Sequence, residues 1–305
     1  MLTLPRRLPE VLEHVAGLRP YREGGVRLEA EDWDGRWMVH NYGHGGAGIT
    51  LAPGSAQLAA EEVLARVGPP ARVAVLGAGI IGLSTARALL ARGFQVTVYA
   101  RELPPSTTSD VAGGVWAPVE VGQEGRYSEL LQLSWDFYRR QASPHVVPHT
   151  AYFDGAALAQ LEVVPPQLEM RQQDERFWSL QTLLIITAGY LRELAHRRIP
   201  RVQRTFVSRD EVLALDTDAW VNCLGAGAGP LLGDAKMVPI RGQLVRMPPI
   251  EKQFTVIHPA GYLISRPDVF LAGGTFEHGI DDPRPDDAMC REIVAKNQAY
   301  LDSFR

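Results

Sequence analysis

Gly77, Gly79 and Gly82 stand as G-A-G-I-I-G between an apolar run, "RVAVL", and a helical pattern, "GLSTARALLARG". Glycines at this spacing suit a pyrophosphate. The first permits a tight turn, the second lets phosphates approach the backbone, and the third lets helix and strand pack closely. The first N–H groups of the helix then face the phosphates, which makes Gly77, Ala78, Gly79, Ile80, Ile81 and Gly82 candidate contacts to a dinucleotide. The next strand, "FQVTVYAR", ends at Arg101 and Glu102. Glu102 can accept the hydroxyls of an adenosine ribose, while Arg101 suits a 2′-phosphate, so this unit alone leaves NADP open as a cofactor. A second bare stretch, "MVHNYGHGGAGITLAPGSA" at 38–56, precedes the unit and carries His40 and His44.

The bulk of the chain fits a globular protein with a small partner. Of 305 residues, 22% are charged and 46% hydrophobic, and 31 basic against 35 acidic side chains give a net charge of −4. That balance offers no reason to expect nucleic acid or an anionic membrane as partner, while a homo-oligomer is compatible with it. Cys223 and Cys290 are the only cysteines, too few for a disulfide framework or a four-cysteine zinc site, and no metal is expected. "LTLPRRLPE" lacks the apolar core of a signal peptide, and no apolar run reaches the roughly 18 residues of a membrane span. These features predict a cytoplasmic protein.

The glycines need elements to hold them. A helix is expected over roughly 57–66, ended by Gly68, Pro69 and Pro70. The strand, helix and strand that follow make a βαβ unit. Residues 182–198 read as a strand entering a helix, 202–208 and 219–229 as strands, 236–276 as strand-rich and turn-separated, and 286–304 as a closing helix. The fold class is α/β, with a Rossmann-like nucleotide domain (28–125 plus 180–235) interleaved with an antiparallel-sheet domain (1–27, 126–179 and 236–305).

Four blocks carry a family resemblance: "GLRPYREGGVRLE" (17–29), the stretch 38–56, "PPSTTSDVAGGVWAP" (104–118), and "VNCLGAGAG" followed by "PIRGQLVRM". Together the chain resembles the D-amino-acid oxidase family. The resemblance implies FAD as cofactor, with Thr108, Ser109, Gly113, Gly114 and Val115 in a flavin-contacting loop and Val207 as a further contact. It implies that Gly45, Gly46, Ala47, Gly48, Ile49 and Thr50 cross the isoalloxazine face, where a Cβ would collide with flavin or substrate. Ile49 and Thr50 would open a helix whose positive end meets the flavin pyrimidine edge. Arg19, in "GLRP", matches the family's carboxylate-clamping arginine, Tyr262, in "GYLIS", matches a tyrosine that meets the same carboxylate, and the Gly46 carbonyl would accept from the substrate amine.

The implied reaction is oxidation of a D-amino acid by FAD and O2 to a 2-oxo acid, ammonia and hydrogen peroxide. It needs no protein base, so His40 and His44 are expected to be structural. Phe276 and Ala117 depart from the polar residues of some members, which favours neutral substrates. Arg266 and His258 are the residues that would reverse this toward D-aspartate oxidase. An NAD(P)-dependent dehydrogenase is the remoter alternative and leaves 17–56 unexplained, and a cofactor-binding protein without turnover is another. In the family's order the βαβ strand comes first and the "GLRP" and "HNYGHGG" blocks come last. Here they precede Arg72, which implies circular permutation, with old ends joined through "VGPPAR" and new ends opened between Arg305 and Met1. Met1 and Arg305 would then share one surface, roughly 10 to 25 Å apart, and the strand from Arg72 would be central in a parallel sheet.

Overall fold

The computed structural model describes residues 2–160, 164–195 and 199–304. Met1, Arg305 and the end of the helix expected through residue 198 lie outside the described residues.

The run "RVAVL" is buried on both faces. Val73 and Val75 join a core with Ala59, Val63 and Leu89, whereas Ala74 and Leu76 join a second core with Trp33, Met38 and Trp220. Such two-sided burial marks an internal strand of a sheet covered on both sides. This strand, β4 (Arg72–Leu76), lies inside a six-stranded sheet in the order β2 (Arg27–Trp33), β3 (Arg36–Tyr42), β10 (Ala219–Asn222), β4, β5 (Gln95–Ala100), β9 (Arg201–Gln203). All neighbours pair in parallel except β2 with β3. That hairpin turns at Asp34 and Gly35, with φ of 54° and 80°, the mirror-image turn that suits Asp-Gly. It lies outside the elements expected from the sequence.

Helices α1 (Gly48–Leu64) and α2 (Ile80–Ala91) cover one face of this sheet, and α6 (Arg209–Leu213) helps to cover the other. The first helix therefore starts at Gly48, where the resemblance has Ile49 and Thr50 open a helix, well before Gln57, where the periodic pattern begins, and it continues through Pro53. Proline has no N–H, so the Ile49 carbonyl one turn earlier loses its helical donor. α4 (Tyr127–Arg140) replaces it: the Tyr138 hydroxyl donates to Ile49 O at 2.7 Å, and Ser134 Oγ accepts from the Gly54 N–H at 2.9 Å.

The larger sheet runs β1 (Glu13–Arg22), β11 (Met237–Met247), β14 (Phe270–Gly273), β13 (Gly261–Ser265), β12 (Phe254–His258), β6 (Val146–Asp154), β8 (Phe177–Ile185), β7 (Glu169–Gln172), and β15 (Glu277–His278) also pairs with β11. It is antiparallel apart from β12 with β6. Cys290, Ile293 and Leu301 of α8 (Asp287–Asp302) close a core over Val245, Phe254 and Phe270, and Leu2, Leu4 and Leu8 pack on the same cluster. Leu8 N–H donates to Gln298 Oε1 at 3.0 Å, and Gln298 Nε2 donates to Arg6 O at 3.3 Å.

The chain crosses between the sheets several times, in keeping with interleaved units. One boundary shifts: β8 belongs to the larger sheet along its whole length, so the crossing falls after Ile185, before α5 (Thr187–Leu194), and not at residue 180. The strand expected over 202–208 is reduced to the three exposed residues of β9. Two short helices, α3 (Thr108–Val111) and α7 (Ala228–Leu232), complete the set. Among the described residues no helix is long and apolar enough to cross a membrane, and no group of His, Cys, Asp and Glu could hold a metal ion.

Candidate active site

A cavity of about 930 Å³ is lined from both sheets. One end lies beyond the C-terminal ends of β4 and β5, the usual crevice of a parallel sheet. There Gly77 takes φ 115°, and a Cβ on it would collide with the Cys223 carbonyl. Ala78, Gly79, Ile80 and Ile81 line the wall beside it. Gly82 does not line the cavity; a Cβ there would strike the Gly77 carbonyl, so this glycine serves helix–strand packing. The Ile80 N–H donates to Ser109 Oγ at 2.9 Å, tying the start of α2 to the loop that holds Thr108, Ser109, Gly113, Gly114 and Val115, all on the cavity wall. A T-x-x-D capping box shapes that loop, since the N–H and hydroxyl of Thr107 both donate to Asp110 Oδ2, at 2.9 and 2.7 Å.

Arg101 and Glu102 also line this end. Val207 does not: it is 78% exposed, and its N–H donates to the Glu211 carboxylate at 3.1 Å. Because β9 stops at Gln203, the chain passes the wall with Arg204, Thr205 and Phe206 and has left it by Val207, which corrects that choice of residue. No motif marks Arg204, whereas T-x-x-D was available as a signal for Thr107 and Asp110.

The early glycine stretch forms the middle of the cavity. Gly45 takes φ 54°, and a Cβ there would run into the Glu120 carbonyl. The Gly46 N–H donates to Glu120 O at 3.1 Å, and Thr50 Oγ1 donates to Ala117 O at 2.8 Å, so residues 45–50 lie alongside 117–120. Gly45, Gly46, Gly48, Ile49 and Thr50 line the cavity, while Ala47 faces the core. His44 lines it too. Burial alone holds its pKa down at about 3, and its neutral ring leaves Nε2 without a partner among the described residues.

The polar residues before the glycines are anchors. The Asn222 amide donates to His40 Nδ1 at 3.3 Å, which leaves Nε2 to donate to Glu31 at 2.9 Å. Asn41 donates to Thr85 Oγ1 on α2 at 3.1 Å. Tyr42 donates to Asp234 Oδ2 at 2.7 Å, where Arg22 Nε also arrives at 2.9 Å. His40 is fully buried and off the cavity wall.

At the other end stand Arg19, on β1, and Tyr262, on β13. Tyr262 lies opposite Gly273 in the sheet, and a Cβ on that glycine would collide with its ring. Burial raises the phenol pKa despite nearby Arg19, so the hydroxyl keeps its proton. Arg19 donates from Nη1 to Thr275 O at 3.0 Å, and burial lowers its pKa. Among the described residues no carboxylate pairs with it: Glu120, on the same wall, raises its pKa only from a distance, and nearby Glu277 is taken by Arg241, Gln243 and Thr275. The cations nominated for an acidic side chain are elsewhere. Arg266 is engaged by Asp268 at 2.6 Å and by the Ala112 carbonyl, His258 is hydrogen-bonded to Asn297 at 2.9 Å, and neither lines the cavity.

A family model described as FAD dependent oxidoreductase matches residues 72–181 and 187–305. The chain belongs to this family. Curated relatives of this FAD-dependent oxidoreductase include a D-amino-acid oxidase of Rubrobacter xylanophilus, 30% identical over 259 residues that cover 77% of this chain and 78% of the relative. A D-amino-acid oxidase of Streptomyces coelicolor is 29% identical, covering 73% and 76%, and the D-aspartate oxidase of Homo sapiens is 27% identical, covering 74% of each. The protein is an FAD-dependent oxidase, and the dehydrogenase reading falls. The cavity fits FAD in its own terms: about 930 Å³ runs from the glycine turn at residues 77–81, with Arg101 and Glu102 beside it, along the bare backbone of Gly45, Gly46 and Gly48 to Arg19 and Tyr262.

Proposed function

We propose that this oxidase converts neutral, apolar D-amino acids with O2 to 2-oxo acids, ammonia and hydrogen peroxide. The observation that carries the reading is Arg19, a half-buried cation on the cavity wall that no carboxylate pairs with among the described residues. Such a group is costly unless an anion arrives, and its planar fork orients a carboxylate as well as attracting it.

Residues 77–81 and the backbone of residues 45–50 would hold FAD, which would supply the hydride-accepting chemistry, with O2 as the final oxidant. The chain's own residues orient the substrate for that transfer. Arg19 holds the carboxylate, the protonated Tyr262 hydroxyl donates to it, and the Gly46 carbonyl accepts from the amine. No side chain need take a proton if the amine enters neutral. Val115, Ala117, Phe153, Leu180, Ile257 and Ile264 give the cavity apolar walls that exclude water and receive a hydrocarbon side chain. The sequestered Arg266 and His258 weigh against an acidic one. Lys296 reaches the rim, paired with Glu292 at 2.6 Å. Two free, buried thiols, Cys223 and Cys290, accord with a reducing cytoplasm.

The test is peroxide release from purified, yellow protein. D-Leucine should give turnover, L-leucine none, and D-aspartate far less than D-leucine. Arg19→Ala should lower kcat/KM for D-leucine by about 2 to 5 kcal/mol, with Arg19→Lys recovering part. D-Aspartate preferred over D-leucine would establish the D-aspartate oxidase reading instead, and unchanged kinetics in Arg19→Ala would remove the clamp.

The permuted order is likewise our proposal. In its support, β4 is internal between β10 and β5, the family match begins at Arg72, and the segment through Leu8 lies on α8, near the other end of the chain.

A further inference from the structure

Arg19 is half-buried and makes no ion pair among the described residues, with Glu120 and Glu277 acting on its charge only from a distance, yet its position is defined. Three contacts define it. Nη1 donates to Thr275 O at 3.0 Å, the guanidinium lies in the space that a side chain on Gly242 would fill, and its Cζ stands 4.5 Å from the centroid of the Phe276 ring. Phe276 lines the cavity while remaining 44% exposed, an unusual place for a phenylalanine that serves only the core. Its neighbours are pinned. Thr275 Oγ1 accepts from the Gln243 N–H at 3.0 Å and donates to Glu277 at 2.7 Å, and Glu277 pairs with Arg241 on β11.

We propose that Phe276 is a positioning residue that stabilises the Arg19 cation through its ring face and so keeps the guanidinium fork free for the substrate. The inference rests on the reading of Arg19 as the carboxylate clamp. A carboxylate partner would stabilise the charge but occupy the in-plane N–H donors. An aromatic face attracts the cation with its quadrupole and makes no claim on those donors. The ring also covers part of the guanidinium, so an incoming carboxylate displaces less water.

The test uses the FAD-loaded protein and 4-methylpentanoate, which has the carbon skeleton of leucine but no amine to oxidise. Its Kd is read from the perturbation of the flavin absorbance, with 4-methylpentanamide as the uncharged control. Phe276→Leu, which keeps an apolar side chain but no ring, should weaken the carboxylate by about 3- to 30-fold and leave the amide unchanged. Phe276→Trp should bind the carboxylate at least as well as the parent. With D-leucine, Phe276→Leu should raise KM and leave kcat within about two-fold, as expected for uniform binding. A change below two-fold in Phe276→Leu, an equal loss for the amide, or a tryptophan variant as weak as the leucine variant would overturn the inference. Arg19→Ala serves as the separate control. If it binds 4-methylpentanoate like the parent, the clamp reading itself is wrong; if it loses binding while Phe276→Leu does not, only the role of Phe276 fails.

Discussion

Asp234 takes hydrogen bonds from Arg22, Tyr42 and the Lys236 N–H, and these outweigh burial, which acts the other way, to bring its pKa to about 2. The folded value lies below the unfolded one of about 3.9. The stability it adds is therefore complete above about pH 4 and is lost as the pH falls through about 2. Asp234→Asn should cost about 1 to 2 kcal/mol near neutral pH, allowing for solvent screening, with the gap closing toward pH 2. Urea titrations of both proteins at pH 7 and pH 3 check this, and a gap that widens on acidification would refute it. The glycines of the "HNYGHGG" stretch were legible because a bare backbone advertises a close approach. The partners of His40, Asn41 and Tyr42 were not, because Glu31, Thr85 and Asp234 come from separate parts of the chain that only the fold brings together. Val207 shows the opposite error: a strand end misplaced by a few residues moved the chosen contact off the wall.

Among the elements, the βαβ unit was legible because β4 is apolar on both faces and α2 carries its glycines at fixed spacing. The start of α1 was hidden from the periodic pattern by Pro53, which reads as a breaker, and only the family resemblance pointed to a helix opening at Ile49 and Thr50. Its remedy sits on α4, where Tyr138 supplies the donor that Pro53 lacks. Tyr138→Phe should therefore leave the Ile49 carbonyl unsatisfied in a buried site and cost about 1 to 3 kcal/mol. Because Ile49 also lines the cavity, FAD should dissociate more readily from this variant. Equilibrium unfolding and FAD titration measure the two effects, and a variant with parental stability would show that water or backbone adjustment serves Ile49 instead. The hairpin of β2 and β3 is signalled by Asp34 and Gly35, a dipeptide suited to the mirror-image turn that joins two strands.

Across the whole molecule, the two sheets share one chain that passes repeatedly between them, and the order of its blocks is the most informative feature. If the order is permuted, a chain opened at Arg72, with the segment after α8 linked to the segment before β1, should fold, bind FAD and keep kcat/KM for D-leucine within about three-fold. Such a protein failing to bind FAD would count against the common fold behind the proposal. The fold class was readable because alternation of strand and helix survives permutation, whereas the pairing of β1 with β11 was not, since nothing local announces so distant a partner. That pairing has a consequence for biosynthesis. On the ribosome β1 emerges long before β11 and must wait, solvated and unpaired, until that partner has been made. Arg19 is thus synthesised well before its strand can be placed, and a chain begun at Arg72 would release β1 only after its partner exists. Late, long-range strand pairing is slow and exposes a sticky edge meanwhile, so the reopened chain should give a higher yield of native protein during synthesis in a cell-free system without chaperones.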